Sequence, residues 1–357
     1  MSIFGPKCSM SDYNVLQKIL HYVALSGTSV LEATLDAELA FCKSRMLNQG
    51  RQKHVFISGL ARAGTTILMR SLYESQQFSS LTYADMPFVL APNLWFKLSG
   101  KWRKNMEAKE RAHGDGILVD YNSPEALDEV FWRTFVGKQY IGRDAIVPHS
   151  CDDETVEKFR KYIAVILLRY AANRYLSKNN NNILRLACIL QAFPNAIILI
   201  PFREPLQHSN SLLNQHKLFK RKQSEDSFVR HYMSWLGHYE FGLSHKRFKT
   251  SGSRCVNGDT SSIDYWLEQW CNVYNYLLKE TEKFSDNIIF VSYELFCLDT
   301  DVVWQSLREA LDIGDAKKPE MNIKRREVPT PSDTDQLERA QHIYELLTAI
   351  SRDRLIQ

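Results

Sequence analysis

The chain lacks the marks of several common protein classes. No apolar run approaches the roughly 18–20 residues of a membrane-spanning helix; the longest, at residues 163–168 and 196–201, have strand or core-helix length. The N-terminus carries no charged-then-apolar targeting pattern, and no Asn-x-Ser/Thr acceptor occurs anywhere. An excess of one charge is also missing. The 45 Lys and Arg against 41 Asp and Glu leave a net +4, which argues against a nucleic-acid-binding tail. These absences predict a soluble, cytoplasmic chain with no transmembrane segment and no nucleic-acid partner. The seven cysteines are scattered without a C-x-x-C pair, so reduced, mostly core thiols are expected. No His/Cys/Asp/Glu group has metal-ligand spacing, and no metal is expected.

What is present is enough to build a large core: 44% of 357 residues are hydrophobic and 11% aromatic. Helical periodicity over residues 12–47 places Val15, Ile19, Tyr22 and Val23, then Leu31, Leu35 and Leu39, on apolar faces. Strand-like runs follow at 55–58, 196–202 and 288–292, each leading into helix-like sequence. That alternation predicts an α/β fold with a central parallel sheet flanked by helices. Residues 80–177 form a long, largely helical, aromatic-rich insertion, read equally well as cover for a substrate or as core padding. Within it, the apolar spacing predicts a helix over residues 153–176.

One junction carries chemistry. The strand at residues 55–58 runs into Gly59, then Ala61-Arg62-Ala63-Gly64-Thr65-Thr66, then a helix. A glycine-rich turn at a helix N-terminus gathers backbone N–H groups and the positive end of the helix dipole, which suits a phosphate. A nucleoside-triphosphate loop needs Lys after the second glycine. Thr65 stands there instead. A second strand, at 196–202, delivers Arg203, followed by Pro205 and by Ser211 eight residues after the Arg. Ligands of open α/β sheets bind beyond the carboxyl ends of strands, and a guanidinium fork there suits a phosphate.

With both segments in view, the chain resembles the sulfotransferases that use 3′-phosphoadenylyl sulfate (PAPS). Their 5′-phosphosulfate loop reads Pro-Lys/Arg-Ser-Gly-Thr-Thr, and their 3′-phosphate motif pairs Arg-x-Pro with a later Ser. A third similarity is the apolar strand ending in Tyr293-Glu294-Leu295, close to the family's adenine-side Tyr-Glu-x-Leu. A fourth is Lys178, with Asn180 standing where the cytosolic branch has its catalytic His. The resemblance implies a three-layer P-loop-like fold and one sulfotransferase domain over 1–357, with a helical preamble at 1–50 and an insertion at 80–177 contributing to the acceptor site. It implies PAPS as donor, 3′-phosphoadenosine 5′-phosphate (PAP) as product, and a hydroxylated small molecule or carbohydrate as acceptor.

Site roles follow from the same resemblance. Residues Arg62, Ala63, Gly64, Thr65 and Thr66 would hold the 5′-phosphate and sulfuryl group. Lys178 would approach the sulfuryl oxygens, and Arg203 with Ser211 would bind the 3′-phosphate. Tyr293 would lie near adenine, and the basic run at 324–326, centred on Arg325, over the 3′-phosphate. For the general base, the branch with a carboxylate is the better match. It points to Asp85, with His113 as runner-up and Glu125 assigned to a helix cap. His149 and His238 are assigned to packing or to the acceptor side. A P-loop kinase or NTPase is the enzymatic rival, disfavoured by Thr65 and by a second strand ending in Arg203 rather than Asp. A non-catalytic nucleotide-binding protein is disfavoured by the presence of both Arg62 and Arg203.

Overall fold

The computed structural model describes residues 13–45, 52–100, 122–254, 258–320 and 327–356, with the backbone alone at 109–110 and 118–119. In chain order the elements are α1 (Val15–Leu25), α2 (Thr28–Cys42), β1 (Val55–Ile57), α3 (Thr65–Glu74), α4 (Pro92–Ser99), β2 (Lys109–Glu110), β3 (Leu118–Val119), α5 (Glu129–Tyr140), β4 (Ala145–Ile146), α6 (Asp153–Tyr170), β5 (Leu176–Lys178), α7 (Leu186–Ala192), β6 (Ile197–Phe202), α8 (Pro205–Glu225), α9 (Ser227–Trp235), β7 (Arg247–Phe248), α10 (Ile263–Lys283), β8 (Ile288–Ser292), α11 (Tyr293–Leu298), α12 (Thr300–Leu311) and α13 (Thr334–Leu355). Short 3-10 turns occupy Tyr83–Asp85 and Asn180–Leu184.

Four strands form the central sheet, in the order β5-β1-β6-β8, and every pairing is parallel. Successive side chains of a strand face opposite sides, so a sheet covered on both faces needs apolar residues at every position. The chain meets that demand. Phe56, Ile198, Ile200, Phe202 and Phe290 join one core with Phe159, Ile189, Leu212 and Trp270 of α6, α7, α8 and α10. Their neighbours Val55, Ile57, Leu199, Ile289 and Val291 join a second core with Leu68, Leu72, Val303 and Leu307 of α3 and α12. The expected helix–sheet–helix layering follows from this alternation.

Four details differ from the sequence reading. The strand β5, implied only by the resemblance through Lys178, has no apolar run, because its middle residue is Ser177, whose hydroxyl donates to the buried Asp128 carboxylate at 2.5 Å. The helix expected over 153–176 stops at Tyr170, where Ala171 turns left-handed (φ 50°) and releases the chain toward β5. In α1 the apolar stripe faces outward: Val15 is 75% exposed, while Gln17, His21, Ala24 and Leu25 are buried. His21 earns its burial through an Nδ1 contact with the Gln17 carbonyl at 2.8 Å and a ring contact with Tyr13.

The fourth difference concerns the thiols. Cys151 and Cys188 form a disulfide, with Cα atoms 5.6 Å apart across a sequence separation of 37. Their scatter along the chain concealed a spatial pair. Among the described cysteines, Cys42, Cys271 and Cys297 remain free. The insertion's described aromatics serve mainly as core. Phe131 stacks on Tyr162 and Trp132 packs on Phe159, all four buried. Among the described residues, no helix is long and apolar enough to cross a membrane.

Candidate active site at the carboxyl ends of the strands

Register brings four strand ends to one edge of the sheet. Ile57 pairs with both Lys178 and Leu199, and Phe202 pairs with Ser292. The glycine-rich loop, Lys178, Arg203 and Tyr293 therefore leave the sheet side by side, at the point where chain order reverses on either side of β1.

The loop is held from beneath. Ser58 N–H donates to the Leu199 carbonyl at 2.8 Å. Gly59 takes φ +133°, and a Cβ there would lie 3.3 Å from the Pro201 carbonyl oxygen, which reserves the position for glycine. Arg62 adopts φ +72°, a left-handed conformation that L residues keep only where their surroundings enforce it. Two groups do so. The Arg203 guanidinium donates to the Arg62 carbonyl at 3.2 Å, and His208 Nε2–H donates to the Ala61 carbonyl at 2.8 Å. The His208 tautomer follows from Trp270, whose indole N–H can only donate and reaches Nδ1 at 3.2 Å. Burial pushes His208 down to about 3 despite the Ala61 bond, so the ring stays neutral.

Gly64 caps α3 with φ 87°, and the first N–H groups of a helix have no partner within it. The Thr65 side chain is buried and Thr66 half-buried at this terminus. Arg62 Nε donates to Ser211 Oγ at 3.3 Å, joining the loop to α8. Arg203 lies over the Tyr293 ring at 4.6 Å. Its Nε is buried without a partner among the described residues. Glu204 caps α8 through Leu206 and Gln207 N–H, and Glu294 accepts the Glu204 N–H at 3.1 Å, so α8 is tied to the end of β8.

On the other side of the loop, Lys178 is nearly buried and ends β5 beside Ile57. A buried polar network fixes that strand end. Asp128 accepts from Ser177, Tyr175 and Asn179. Glu129 accepts from Asn179 at 2.7 Å, from Tyr140 and from both terminal nitrogens of the buried Arg185. Gly237 (φ +72°) packs so closely on this network that a Cβ would meet Glu129 Cγ at 2.5 Å.

The next residues after Gly237 complete a cluster. His238 Nδ1 lies 3.8 Å from Glu240 Oε1, and Asn180 Nδ2 donates to that same oxygen at 2.9 Å. Glu125 Oε1 stands 4.0 Å from Lys178 Nζ, while its Oε2 accepts from Tyr83 at 2.9 Å. Burial pulls His238 down, but Glu240, with Glu125 behind it, outweighs burial and Lys178 and leaves it raised. Burial works to raise Glu240, yet His238 and Asn180 hold it down at about 2.

The structure thus brings Arg62, Ala63, Gly64, Thr65, Thr66, Arg203, Ser211 and Tyr293 together, with Lys178 at the adjacent strand end. Asp85 is fully buried in the 3-10 turn: its Oδ2 accepts from Thr82 N–H at 2.9 Å and from the Tyr170 hydroxyl at 2.5 Å. That arrangement is a capping box. Glu125, assigned to a cap from sequence, is the carboxylate beside Lys178. His113 and Arg325, with the run at 324–326, lie outside the described residues. Sequence reasoning missed His208 as a loop anchor and the pairing of His238 with Glu240; neither has a local spacing that announces it.

A sulfotransferase family model matches residues 54–256, more than half of the 357-residue chain, and the chain belongs to that family. Among solved structures it is similar to the sulfotransferase STF1 of Mycobacterium tuberculosis (12% identity, 96% of this chain and 86% of that one, TM-score 0.50). It also matches the sulfotransferase STF9 of Mycobacterium avium (15% identity, 91% and 76% covered, TM-score 0.44). No curated protein sequence matches the chain.

Proposed function

We propose that this chain transfers the sulfuryl group of PAPS to a hydroxyl of a small-molecule or carbohydrate acceptor. One observation carries the donor assignment: Arg203 and Ser211 flank a phosphate loop that has Thr65 in place of the triphosphate-binding lysine. A 5′-phosphosulfate with a separate 3′-phosphate suits that pair of anion sites better than a magnesium triphosphate does.

In this reading the N–H groups of Ala63, Gly64, Thr65 and Thr66 hold the 5′-phosphate. Arg203 and Ser211 take the 3′-phosphate, and Tyr293 lies against the adenosine end. The acceptor oxygen attacks sulfur in line with the bridging S–O bond. That bond breaks as the new one forms, PAP leaves with the electron pair, and the acceptor's proton passes to a base. Arg62 and Lys178 meet the charge that grows on the bridging and sulfuryl oxygens.

The proton acceptor in this reading is His238, with the Glu240 carboxylate 3.8 Å away on the side where a triad carboxylate would stand. The side chain is 21% exposed, and it shares an electrostatic neighbourhood with Lys178. Asp85, the expectation from sequence, has its Oδ2 engaged by Thr82 and Tyr170, so a cap is the role its geometry favours. Glu125 is the competing base.

Two measurements test the proposal. Radiolabelled donor offered with a panel of sugars, phenols, sterols and lipids should label at least one alcohol. Arg203→Ala should weaken PAP binding by about 10- to 100-fold in calorimetry, the worth of a charge-assisted hydrogen-bonded pair. Near-native affinity would remove the 3′-phosphate assignment.

A further inference from the structure

The disulfide has a third neighbour. His149 belongs to the segment between β4 and α6 that also carries Cys151, and Cys188 faces them from α7. The ligand atoms of His149, Cys151 and Cys188 all lie within 4.8 Å of one another. Both ring nitrogens of His149 are buried, and neither makes a hydrogen bond of normal geometry to the described residues, although the Val147 backbone acts on the ring. Buried imidazole nitrogens ordinarily find a well-placed partner, and a pair short of one calls for an explanation. The ring is held in place all the same, stacked on Tyr140 at 4.9 Å, and the His149 N–H donates to the Leu184 carbonyl at 3.0 Å.

We propose that Cys151, Cys188 and His149 form a thiol-dependent site for a zinc-class divalent cation. In the oxidised chain the two sulfurs are bonded to each other and the site is closed. A cellular dithiol opens it: two electrons pass to the disulfide, the reductant becomes a disulfide, and Cys151 and Cys188 become thiols. The cation then displaces the two thiol protons, and the two thiolates with the neutral imidazole provide an S2N set. Tetrahedral zinc takes sulfur at about 2.3 Å and nitrogen at about 2.0–2.1 Å. Ligand atoms already within 4.8 Å of one another therefore need only side-chain rotation to reach it, and the soft thiolates select zinc or cobalt over magnesium or calcium. A three-residue set leaves the fourth position to water or another small ligand.

None of its three residues belongs to the proposed donor cradle, and its test reads metal binding rather than transfer. The full chain, reduced with dithiothreitol and freed of it anaerobically, is titrated with cobalt(II). The expected result is one equivalent bound, with a thiolate-to-cobalt charge-transfer band and visible bands of tetrahedral intensity, both absent from the oxidised protein. Cys151→Ser abolishes the charge-transfer band of this site. His149→Ala, which keeps both cysteines, weakens binding at least ten-fold and shifts the visible bands. Circular dichroism follows the fold of each form. No band in the reduced wild type, a band unchanged in Cys151→Ser, an unaltered titration in His149→Ala, or unfolding on reduction overturns the proposal.

Discussion

Arg62 shows how a residue can be marked by sequence and defined only by its surroundings. Its place before Gly64 marks it, through the family resemblance, as the loop's expected cation, but its φ of +72° and its bond to Ser211 depend on Arg203 and α8. His238 is the converse case, invisible as a motif yet framed by Glu240, Lys178 and Glu125. A general base works in its neutral form, so in the proposed mechanism a raised His238 gives an acid limb: transfer falls as pH drops through a value above 6.5. Glu240→Gln removes the carboxylate that raises it, and the limb should move to lower pH while the plateau rate drops. The pH profile of kcat for the wild type, Glu240→Gln and Glu125→Gln decides the matter. If Glu125→Gln removes the limb and Glu240→Gln leaves it in place, Glu125 is the base. PAP affinity in all three should be unchanged.

At the scale of elements, the strand ends are placed by polar groups as much as by apolar ones. The short β5 is positioned by Asp128, Glu129 and Arg185 beneath it, which is why no hydrophobic run advertised it. The 3-10 turn at Tyr83–Asp85 is similar: Thr82 and Asp85 cap it reciprocally, and Tyr170 of α6 locks the cap. Asp85→Ala removes the acceptor of the buried Thr82 N–H and leaves the half-buried Tyr170 hydroxyl with Thr82 Oγ1 alone. We expect a loss of about 1–3 kcal/mol in urea unfolding, with PAP affinity retained. Unchanged stability with a lost turnover would return Asp85 to the role of base. The exposed stripe of α1 shows periodicity finding a helix while misjudging its buried face, because His21 and Gln17 gained partners that a hydropathy pattern does not register.

For the whole molecule, one covalent link joins the segment before α6 to α7. Closing a loop across a separation of 37 residues is worth about 4 kcal/mol in the loop-entropy model. Cys151→Ala in metal-free buffer should lower stability by up to that amount, read as a fall in the denaturation midpoint against oxidised wild type. An unchanged midpoint would mean that the bond does not form in solution. The same link bears on compartment, since disulfides persist where the surroundings are oxidising. Trapping the thiols with an alkylating reagent in intact cells would report which form the protein occupies.

The sequence by itself determined the layering and the glycine loop at the head of α3. Both are local or periodic features: uniformly apolar strands demand helices on each face, and a glycine loop before a helix gathers N–H groups wherever it occurs. Only the tertiary structure decided which side chains share a space. The partners of Arg203, His208 and Cys151 lie 37 to 147 residues away along the chain, and His238, apart from its neighbour Glu240, is framed by the distant Lys178 and Glu125. Strand register and helix packing bring such groups together, and neither is written in the spacing of the groups themselves.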